Sequence, residues 1–349
     1  MNILHFYYGG TFAVRLQRYL QSNRNMGFNA SVFIDKYANK NLWIPDANNI
    51  DCFFYERDRR FAYLISDLLS GFSDFLGLKK VFINSKSDFI HAHNLESAFY
   101  SFKLGLPTIF DDWEYYLEYF DYNPDPKPNP LSLPIRILRN RRAKRIVRDL
   151  IKNIPIIVTN KNVALKYESL DAKRVFVVPN VPLSLEREYA FKVNINKLPT
   201  LTTGYIGRMN RDNLSVLRNT RGIEDLWKKF SLGDLYIFEG NRYCPHLDVL
   251  RKLREFHFNL LYWKPLSVHK YYLQNKAFLA SVVGVPTIIS SSLTATIDLL
   301  GEYALTVDSI DDIPVIIANS KDYSTFMLNP KHLWGFYESE IREAYNFLI

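Results

Sequence analysis

Three carboxylates and a tryptophan stand together at Asp111, Asp112, Trp113 and Glu114, after a short apolar run. On a strand or an extended loop, residues 112 and 114 project from the same face. Asp112 and Glu114 are therefore candidate catalytic carboxylates, each able to orient a hydroxyl group of a bound molecule. The alternative interpretation is a solvated acidic loop, which is a common use of such a run.

Two histidines, His91 and His93, are spaced so that both lie on one face of a predicted strand. This spacing is compatible with a metal site, but the sequence offers no recognisable third ligand. A polar role at the end of the strand is the favoured interpretation, and no metal is expected.

A basic segment over residues 135–150 alternates arginines and lysines with aliphatic residues. An amphipathic cationic helix of this kind suits an anionic membrane surface or a lipid phosphate. The alternative is an ordinary surface helix. Its basic residues are Arg136, Arg139, Arg141, Arg142, Lys144, Arg145 and Arg148.

Composition limits the classes of protein that fit. The chain has 349 residues, enough for about two domains. Its 48% hydrophobic and 23% charged residues exclude a disordered or fibrous protein. No apolar run approaches the roughly 18 residues of a bilayer crossing, and no secretory signal pattern is present, so we expect a cytoplasmic location. Cys52 and Cys244 cannot build a disulfide framework, and the formal charge of +8 favours an anionic partner.

Short apolar runs alternate with helical patterns along the chain, which predicts parallel sheets covered on both faces. A Pro-Asn-Val-Pro stretch at 179–182 opposes both helix and sheet, so the crossing between two domains is predicted at about 180–197. Helices are predicted at 270–283 and, as a terminal helix, at 332–349. The predicted strands are 1–8, 30–35, 87–93, 107–111, 155–159, 175–178, 202–206, 235–238, 259–263 and 286–290.

Four pairs of stretches, in order along the chain, carry a family resemblance. They read DFIHAHN with GLPTIFDDWEYY, IIVT with VVPN, GYIGR with RGIEDL, and NLLYW with NKAFLASVVGVP. Together they resemble GT-B glycosyltransferases, most closely the retaining family four (glycosyl transferases group 1) enzymes. The corresponding ranges are 88–94 with 105–116, 156–159 with 177–180, 204–208 with 221–226, and 259–263 with 275–286.

The resemblance implies an α/β protein of the GT-B fold, with two Rossmann-like domains whose parallel sheets face a central cleft. Residues 1–182 are expected to bind an acceptor and residues 183–330 a nucleotide-sugar donor, with a C-terminal helix at 331–349 packing back towards the first domain. The implied activity is hexosyl transfer to a hydroxyl of a glycan, lipid-linked saccharide or glycoprotein, with retention. No cofactor and no nucleic acid are expected, whereas an anionic membrane surface is a candidate partner of 135–150.

The resemblance also assigns the donor and acceptor residues. Charge builds on the departing diphosphate as the glycosidic bond breaks, so cations and backbone N–H groups there favour the transition state. For each cation the alternative is a solvated surface charge, and for the glycine pair a simple turn. Candidate donor residues are Gly10, Arg208, Arg221, Asn275 and Lys276, and candidate acceptor residues are Gly9, Trp113 and His93.

The chain departs from the family pattern at three positions. Tyr271 and Leu279 stand where the family has paired glutamates, and a leucine side chain cannot accept hydrogen bonds from ribose. Trp113 replaces a histidine, and it can stack on a sugar but cannot accept a proton. These departures support an alternative, a catalytically degenerate GT-B protein that acts as a binding or scaffold subunit.

Overall fold

The computed structural model describes residues 1–8, 13–37, 43–44, 50–56, 71–122, 133–207, 209, 217–239, 244–319 and 328–349. Within these ranges, strands and helices alternate along the chain. The strands are β1 (Asn2–Tyr7), β2 (Asn29–Asp35), β3 (Asp51–Tyr55), β4 (Phe89–Ala92), β5 (Thr108–Asp112), β6 (Ile156–Val158), β7 (Val175–Val177), β8 (Thr202–Tyr205), β9 (Asp234–Ile237), β10 (Phe258–Leu261), β11 (Thr287–Ser290) and β12 (Ala304–Val307).

Helices lie between most successive strands, as the crossovers of parallel sheets require. The α-helices are α1 (Val14–Asn25), α2 (Gly71–Asn84), α3 (Leu95–Lys103), α4 (Tyr116–Tyr122), α5 (Leu133–Asn153), α6 (Lys161–Glu168), α7 (Ser184–Phe191), α8 (Ile223–Phe230), α9 (His246–Arg254), α10 (Asn275–Ser281), α11 (Thr294–Leu300), α12 (Ile313–Asn319) and α13 (Glu338–Asn346).

The strands form two parallel sheets, which confirms the predicted fold class. The first sheet has the order β3-β2-β1-β4-β5-β6-β7, and the second has the order β12-β11-β10-β8-β9. Strand order therefore reverses between β1 and β4 in one sheet and between β8 and β10 in the other. In open α/β sheets, ligands bind outside the carboxyl ends of the strands at such a reversal.

The chain divides into two compact units, each with its own sheet. The first unit comprises Met1–Leu117, Arg141–Val178 and Glu338–Ile349, so its chain is discontinuous. The second unit comprises Glu118–Asn140 and Pro179–Tyr337.

Apolar residues of the helices and of the sheet form the core of each unit. In the first, Leu16 and Leu20 on α1 pack with Val32 and Ile34 on β2. In the second, one cluster includes Ile223 and Trp227 of α8 with residues from the sheet, and a separate cluster includes residues of α9 and α10.

Each predicted strand is present within one or two residues of its predicted bounds. The strands β3 and β12, each at one edge of its sheet, were not predicted from the sequence. Both are only partly buried, as expected at a sheet edge, where a strand is covered on fewer sides.

The predicted helix over 270–283 is wrong in its first part. Residues 267–271 form a 3₁₀ turn, after which the backbone is extended at Tyr272 and Gln274. The Thr296 hydroxyl donates to the Tyr272 carbonyl at 3.1 Å and accepts from the Gln274 N–H at 3.0 Å. These two bonds satisfy backbone groups outside the helix, which begins only at Asn275.

The predicted terminal helix over 332–349 is also shorter than expected. Residues 330–332 and 334–337 form 3₁₀ turns, and the α-helix spans Glu338–Asn346. Within the described ranges, no helix is long and apolar enough to cross a bilayer.

Candidate functional site

Lys276 occupies the carboxyl end of the second sheet, close to its reversal of strand order. It lies in the first turn of α10, and its Nζ approaches Gly207, two residues after β8. Gly207 has a φ of 108°, which side-chain-bearing residues rarely adopt. A Cβ atom at position 207 would lie 2.5 Å from Lys276 Nζ. Glycine at this position therefore allows both the backbone turn and the close approach of the ammonium group.

A second cation, Arg218, lies in the same region. Its guanidinium carbon is 5.6 Å from the centre of the Trp263 ring, which follows β10 and is fully buried. Burial, followed by the charge of Arg218, lowers the pKa of Lys276 to about 8. Among the described residues, no hydrogen-bond or ion-pair partner of Lys276 Nζ is present. An anion bound here would offset both the desolvation cost of this ammonium group and its repulsion by Arg218.

The segment that carries Arg218 is fixed to the sheet edge by a buried histidine. His269 Nε2 contacts the Leu217 carbonyl oxygen at 2.8 Å, and its Nδ1 contacts Ser292 Oγ at 2.9 Å. Because the oxygen of Leu217 can only accept, the Nε2 atom of His269 carries the proton. The histidine thus connects the Arg218 segment to the loop after β11.

Arg221 lies three residues further along. Its backbone N–H donates to Asn219 Oδ1 at 3.0 Å, and Gly222 with a φ of 89° then leads into α8. The Arg221 side chain is exposed, and no partner of its guanidinium group is present in the described part of the chain.

The remaining predicted positions of this unit divide between surface and core. Asn275 is the first residue of α10 and is half-buried, as is Tyr271. Leu279 is 3% exposed and packs with Val249, Leu250 and other apolar residues of its cluster. The position at which the family resemblance predicts a ribose-binding glutamate therefore belongs to the core of this protein.

In the first unit, the acidic run begins with the last two residues of β5, and its members have different partners. Asp111 is fully buried and accepts two hydrogen bonds from Arg15, from Nε at 2.8 Å and from Nη2 at 2.6 Å. Although burial opposes it, the Arg15 charge holds the pKa of Asp111 below its ordinary value. Asp111 and Arg15 thus form a buried, bidentate ion pair.

Asp112 is also buried, and its carboxylate begins α4. It accepts from the Tyr116 N–H at 3.0 Å and from the Tyr167 hydroxyl. Burial raises the pKa of Asp112 to about 6, against the opposing effect of the Tyr167 hydrogen bond. The chain reaches α4 through Tyr115, whose φ of 55° lies in the left-handed region. The Asp112 carboxylate is thus buried and bonded to donors inside the protein. Glu114 is only half-buried.

Trp113 and the strand-end residues hold the loops around the first reversal of strand order. The Trp113 indole N–H donates to the His93 carbonyl oxygen at 2.8 Å. Asn94 donates to the Tyr8 carbonyl at 2.7 Å, and Ser97 Oγ accepts from the Tyr8 N–H at 2.7 Å. These bonds fix Tyr8, which directly precedes the predicted glycine turn.

The His93 side chain points into the buried interior of the first unit, where it is 2% exposed. Its Nε2 lies 2.8 Å from His5 Nδ1, and its ring stacks on His91 with centroids 4.4 Å apart. The sequence alone shows no recognisable third ligand beside His91 and His93. The pairing of β1 with β4 supplies it, because His5 and His91 are register partners.

Three predicted site residues, Gly9, Gly10 and Arg208, lie outside the described residues. Of the others in the second unit, Lys276 and Asn275 are adjacent on α10, and Arg221 is on the surface before α8. Arg218 is a cation that sequence analysis missed, since it lies outside every motif, and its contact with Trp263 depends on the fold.

Comparison with known proteins gives a fold and no sequence family. No protein-family model matches the chain, and no curated protein matches it. Sucrose-phosphate synthase from Thermosynechococcus elongatus superposes with a TM-score of 0.63 at 11% identity, over 100% of this chain and 99% of that chain. Anabaena HepE in complex with UDP gives 0.61 at 11% identity, over 99% and 100%.

The same architecture extends to an enzyme of another class. UDP-GlcNAc 2-epimerase from Methanocaldococcus jannaschii gives a TM-score of 0.58 at 12% identity, over 99% of this chain and 100% of that chain. The chain has the GT-B fold. In this GT-B protein, the Lys276 region lies close to the strand-order reversal of the second sheet, and the acidic run begins at the carboxyl end of a strand of the first.

Proposed function

We propose that this protein is a glycosyltransferase that moves a sugar from a nucleotide-sugar donor to a hydroxyl group of an acceptor. The fold supports the proposal, because solved structures with this architecture include a sucrose-phosphate synthase and a protein in complex with UDP. Fold alone does not assign a reaction, so the proposal depends on the chemistry of the residues at the sheet edge.

The single observation that carries the proposal is the ammonium group of Lys276. It is half-buried against Gly207, repelled by Arg218, and without an anionic partner among the described residues. Such a cation costs free energy unless an anion binds. A diphosphate fits this need, since its charge grows as the sugar leaves and the cation then stabilises the transition state more than the ground state.

The donor proposal includes Arg221, Asn275 and the sequence-predicted Arg208 and Gly10 as further phosphate contacts. Arginine offers a permanent charge and a forked set of donors that matches phosphate oxygens. Because Leu279 packs in the core, recognition of the ribose must use groups other than the side chain at that position. This difference supports a donor-binding mode that departs from the family four pattern.

In the first unit we propose that Glu114 orients the acceptor hydroxyl, with Trp113 beside it as a stacking surface. Glu114 is favoured over Asp112, because the Asp112 carboxylate is buried and bonded to Tyr116 and Tyr167. The acceptor class is a glycan, lipid-linked saccharide or glycoprotein. On the basis of the sequence resemblance, we also propose retention of configuration, hexosyl donors and kinship with family four.

We further propose that α5 brings the protein to the cytoplasmic face of an anionic membrane. Arg141, Arg145 and Arg148 are exposed along this helix, as are Ile137 and Leu138 near its beginning. Basic residues with exposed aliphatic neighbours bind anionic lipid surfaces. Sedimentation with phosphatidylserine vesicles tests this, and we expect the triple variant Arg141→Gln/Arg145→Gln/Arg148→Gln to remain in the supernatant. Equal sedimentation of wild type and variant would remove the membrane from the proposal.

The central experiment is a screen of UDP-, GDP- and ADP-sugars, read as the mass of the products. Transfer to a supplied acceptor, or slow hydrolysis of the donor, supports the proposal. Lys276→Ala should reduce turnover, whereas Lys228→Ala, on the exposed face of α8, should not. Nucleotide binding without turnover favours the degenerate alternative, which the residues at 113 and 279 motivate. Isomerisation of the sugar without its release would instead indicate an epimerase, and the absence of any nucleotide binding would reject a donor site.

A further inference from the structure

Three histidines of the first unit form a buried cluster, which we define as His5, His91 and His93. His5 lies on β1, His91 is its register partner on β4, and His93 follows two residues later, so all three project from one face of the sheet. All three residues are between 0% and 2% exposed. One nitrogen of each ring lies within 4.8 Å of the corresponding atoms of the other two.

Each ring is held by a different polar partner. His5 Nε2 lies 2.7 Å from Asn23 Nδ2, and His91 Nδ1 lies 2.9 Å from the Tyr345 hydroxyl. His93 Nδ1 lies 3.5 Å from the Asp111 carboxylate. In metal sites, ligating histidines are held in this way, with the second ring nitrogen bonded to a carboxylate, carbonyl or other polar group.

The other nitrogens of the rings have incomplete partners. His5 Nδ1 and His93 Nε2 lie 2.8 Å apart and share one proton. His91 Nε2 is buried and has no hydrogen-bond partner in the described part of the chain. An unpartnered buried nitrogen is costly, and a cation bound to it would remove that cost.

We propose that the histidine cluster binds one divalent transition-metal ion of the zinc type. The ligands are His5 Nδ1, His91 Nε2 and His93 Nε2, and Asn23, Tyr345 and Asp111 orient the rings. Imidazole nitrogen is a preferred ligand of zinc, cobalt and nickel, and three histidines are a sufficient set for zinc. The buried Asp111 carboxylate offsets part of the charge that the ion brings.

Binding requires a defined rearrangement of protons and rings. The proton of His5 moves from Nδ1 to Nε2, where the Asn23 amide must turn so that its Oδ1, now without a partner, accepts it. No proton has to leave the protein. The rings of His91 and His93 are stacked with an interplanar angle of 12°, so lone pairs that lie in these two planes cannot converge on one ion. One of these two rings must rotate about its Cβ–Cγ bond to face the ion.

The ion would connect two adjacent strands, and through Asn23 and Tyr345 it would order α1 and α13 against the first sheet. The expected effect of the ion is therefore on the stability of the first unit, and none of its ligands is among the residues proposed to contact the donor. The inference does not depend on the proposed function.

The test uses the full chain, expressed in zinc-supplemented medium and purified without a histidine tag. Metal content is measured by mass spectrometry after gel filtration, and zinc affinity by competition with a chelator. We expect about one zinc ion per chain in the wild type and in the control His257→Gln, which alters a half-buried histidine of the second unit. His91→Gln should weaken zinc binding by at least about 100-fold, because it removes a ligand.

A milder variant keeps the test decisive if His91→Gln folds poorly. Tyr345→Phe removes only the hydroxyl that contacts His91 Nδ1, and we expect about tenfold weaker zinc binding from it. Cobalt substitution provides an independent readout, since a low-coordinate nitrogen site absorbs visible light far more strongly than the aqueous ion. Wild-type protein without stoichiometric metal, or with metal retained equally in both variants, would overturn the proposal. Loss of binding in His257→Gln alone would place the ion elsewhere.

Discussion

Replacing Lys276 with methionine tests the central charge of the proposed donor site. Methionine keeps an unbranched stem but removes the ammonium group that lies against Gly207. In the free protein this group is penalised, because its pKa falls from 10.5 to about 8 on folding. The substitution should therefore have opposite effects on stability and on donor binding.

The size of the stability effect follows from the pKa change. A fall from 10.5 to about 8 corresponds to a cost on the order of 3 to 4 kcal/mol, since each unit is worth about 1.4 kcal/mol. Because the folded-state pKa is the lower one, the folded protein binds the proton more weakly than the unfolded chain. The cost is complete below pH 8 and disappears as the pH rises towards 10.5. At pH 7, Lys276→Met should therefore raise the free energy of unfolding, and the gain should vanish near pH 10.5.

Donor binding should change in the other direction. Loss of one charge-assisted hydrogen bond costs about 1.5 to 3 kcal/mol, which is about 10- to 150-fold in the affinity for UDP at pH 7. In the wild type, a group with a pKa of about 8 is only about one-tenth protonated at pH 9. The wild-type affinity for UDP should thus decrease as the pH rises above 8, while the variant shows no such decrease.

Urea unfolding and calorimetric titration with UDP, both from pH 7 to pH 10, measure the two effects. Lys228→Met is the matched control, since it removes an exposed lysine of α8 and should change neither quantity. A variant less stable than wild type at pH 7, or a stability difference that does not depend on pH, would refute the burial of an unpaired charge. Unchanged UDP affinity would refute the donor role.

Three further substitutions give separate outcomes. Arg221→Ala should weaken UDP binding by about 1 to 3 kcal/mol in titration calorimetry and leave urea stability within about 0.5 kcal/mol, and wild-type affinity would remove Arg221 from the site. Gly207→Ala should lower the free energy of unfolding in urea by about 1 to 2 kcal/mol, because it strains the backbone at a φ of 108°. It should also lower the affinity for UDP, because the added Cβ displaces the Lys276 ammonium group. Unchanged values of both quantities would contradict this crowding. Asp111→Asn should lower the free energy of unfolding in urea by about 3 to 5 kcal/mol, because it leaves the buried charge of Arg15 uncompensated. The double variant Arg15→Met/Asp111→Leu, which removes both charges, should recover part of this loss. A double variant less stable than Asp111→Asn would argue against this account.

The fold was accessible from sequence where burial determines the pattern. Central parallel strands such as β1 and β10 are largely buried and mostly apolar. The strands β3 and β12 lie at sheet edges and are only partly buried, so burial marks their sequences less clearly. The bounds of α10 were wrong because Thr296, distant in sequence, fixes the extended segment before it.

The candidate site was accessible only where a motif stands in continuous sequence. Lys276 is part of such a stretch, whereas Arg218 is identified only by its contact with Trp263 across the sheet edge. The pairing of His5 with His91 depends on strand register, which the sequence does not display. Residues 112 and 114 would share a face in an extended chain. In the structure, however, the Asp112 carboxylate accepts a hydrogen bond from the Tyr116 N–H at the start of α4.

The discontinuity of the first unit has a consequence for biosynthesis. Tyr345, near the end of the chain, is fully buried in that unit and contacts His91. Domains usually fold in the order in which the ribosome releases them. Here the polar interior of the first sheet stays incompletely covered until the second unit and residues 338–349 have been translated.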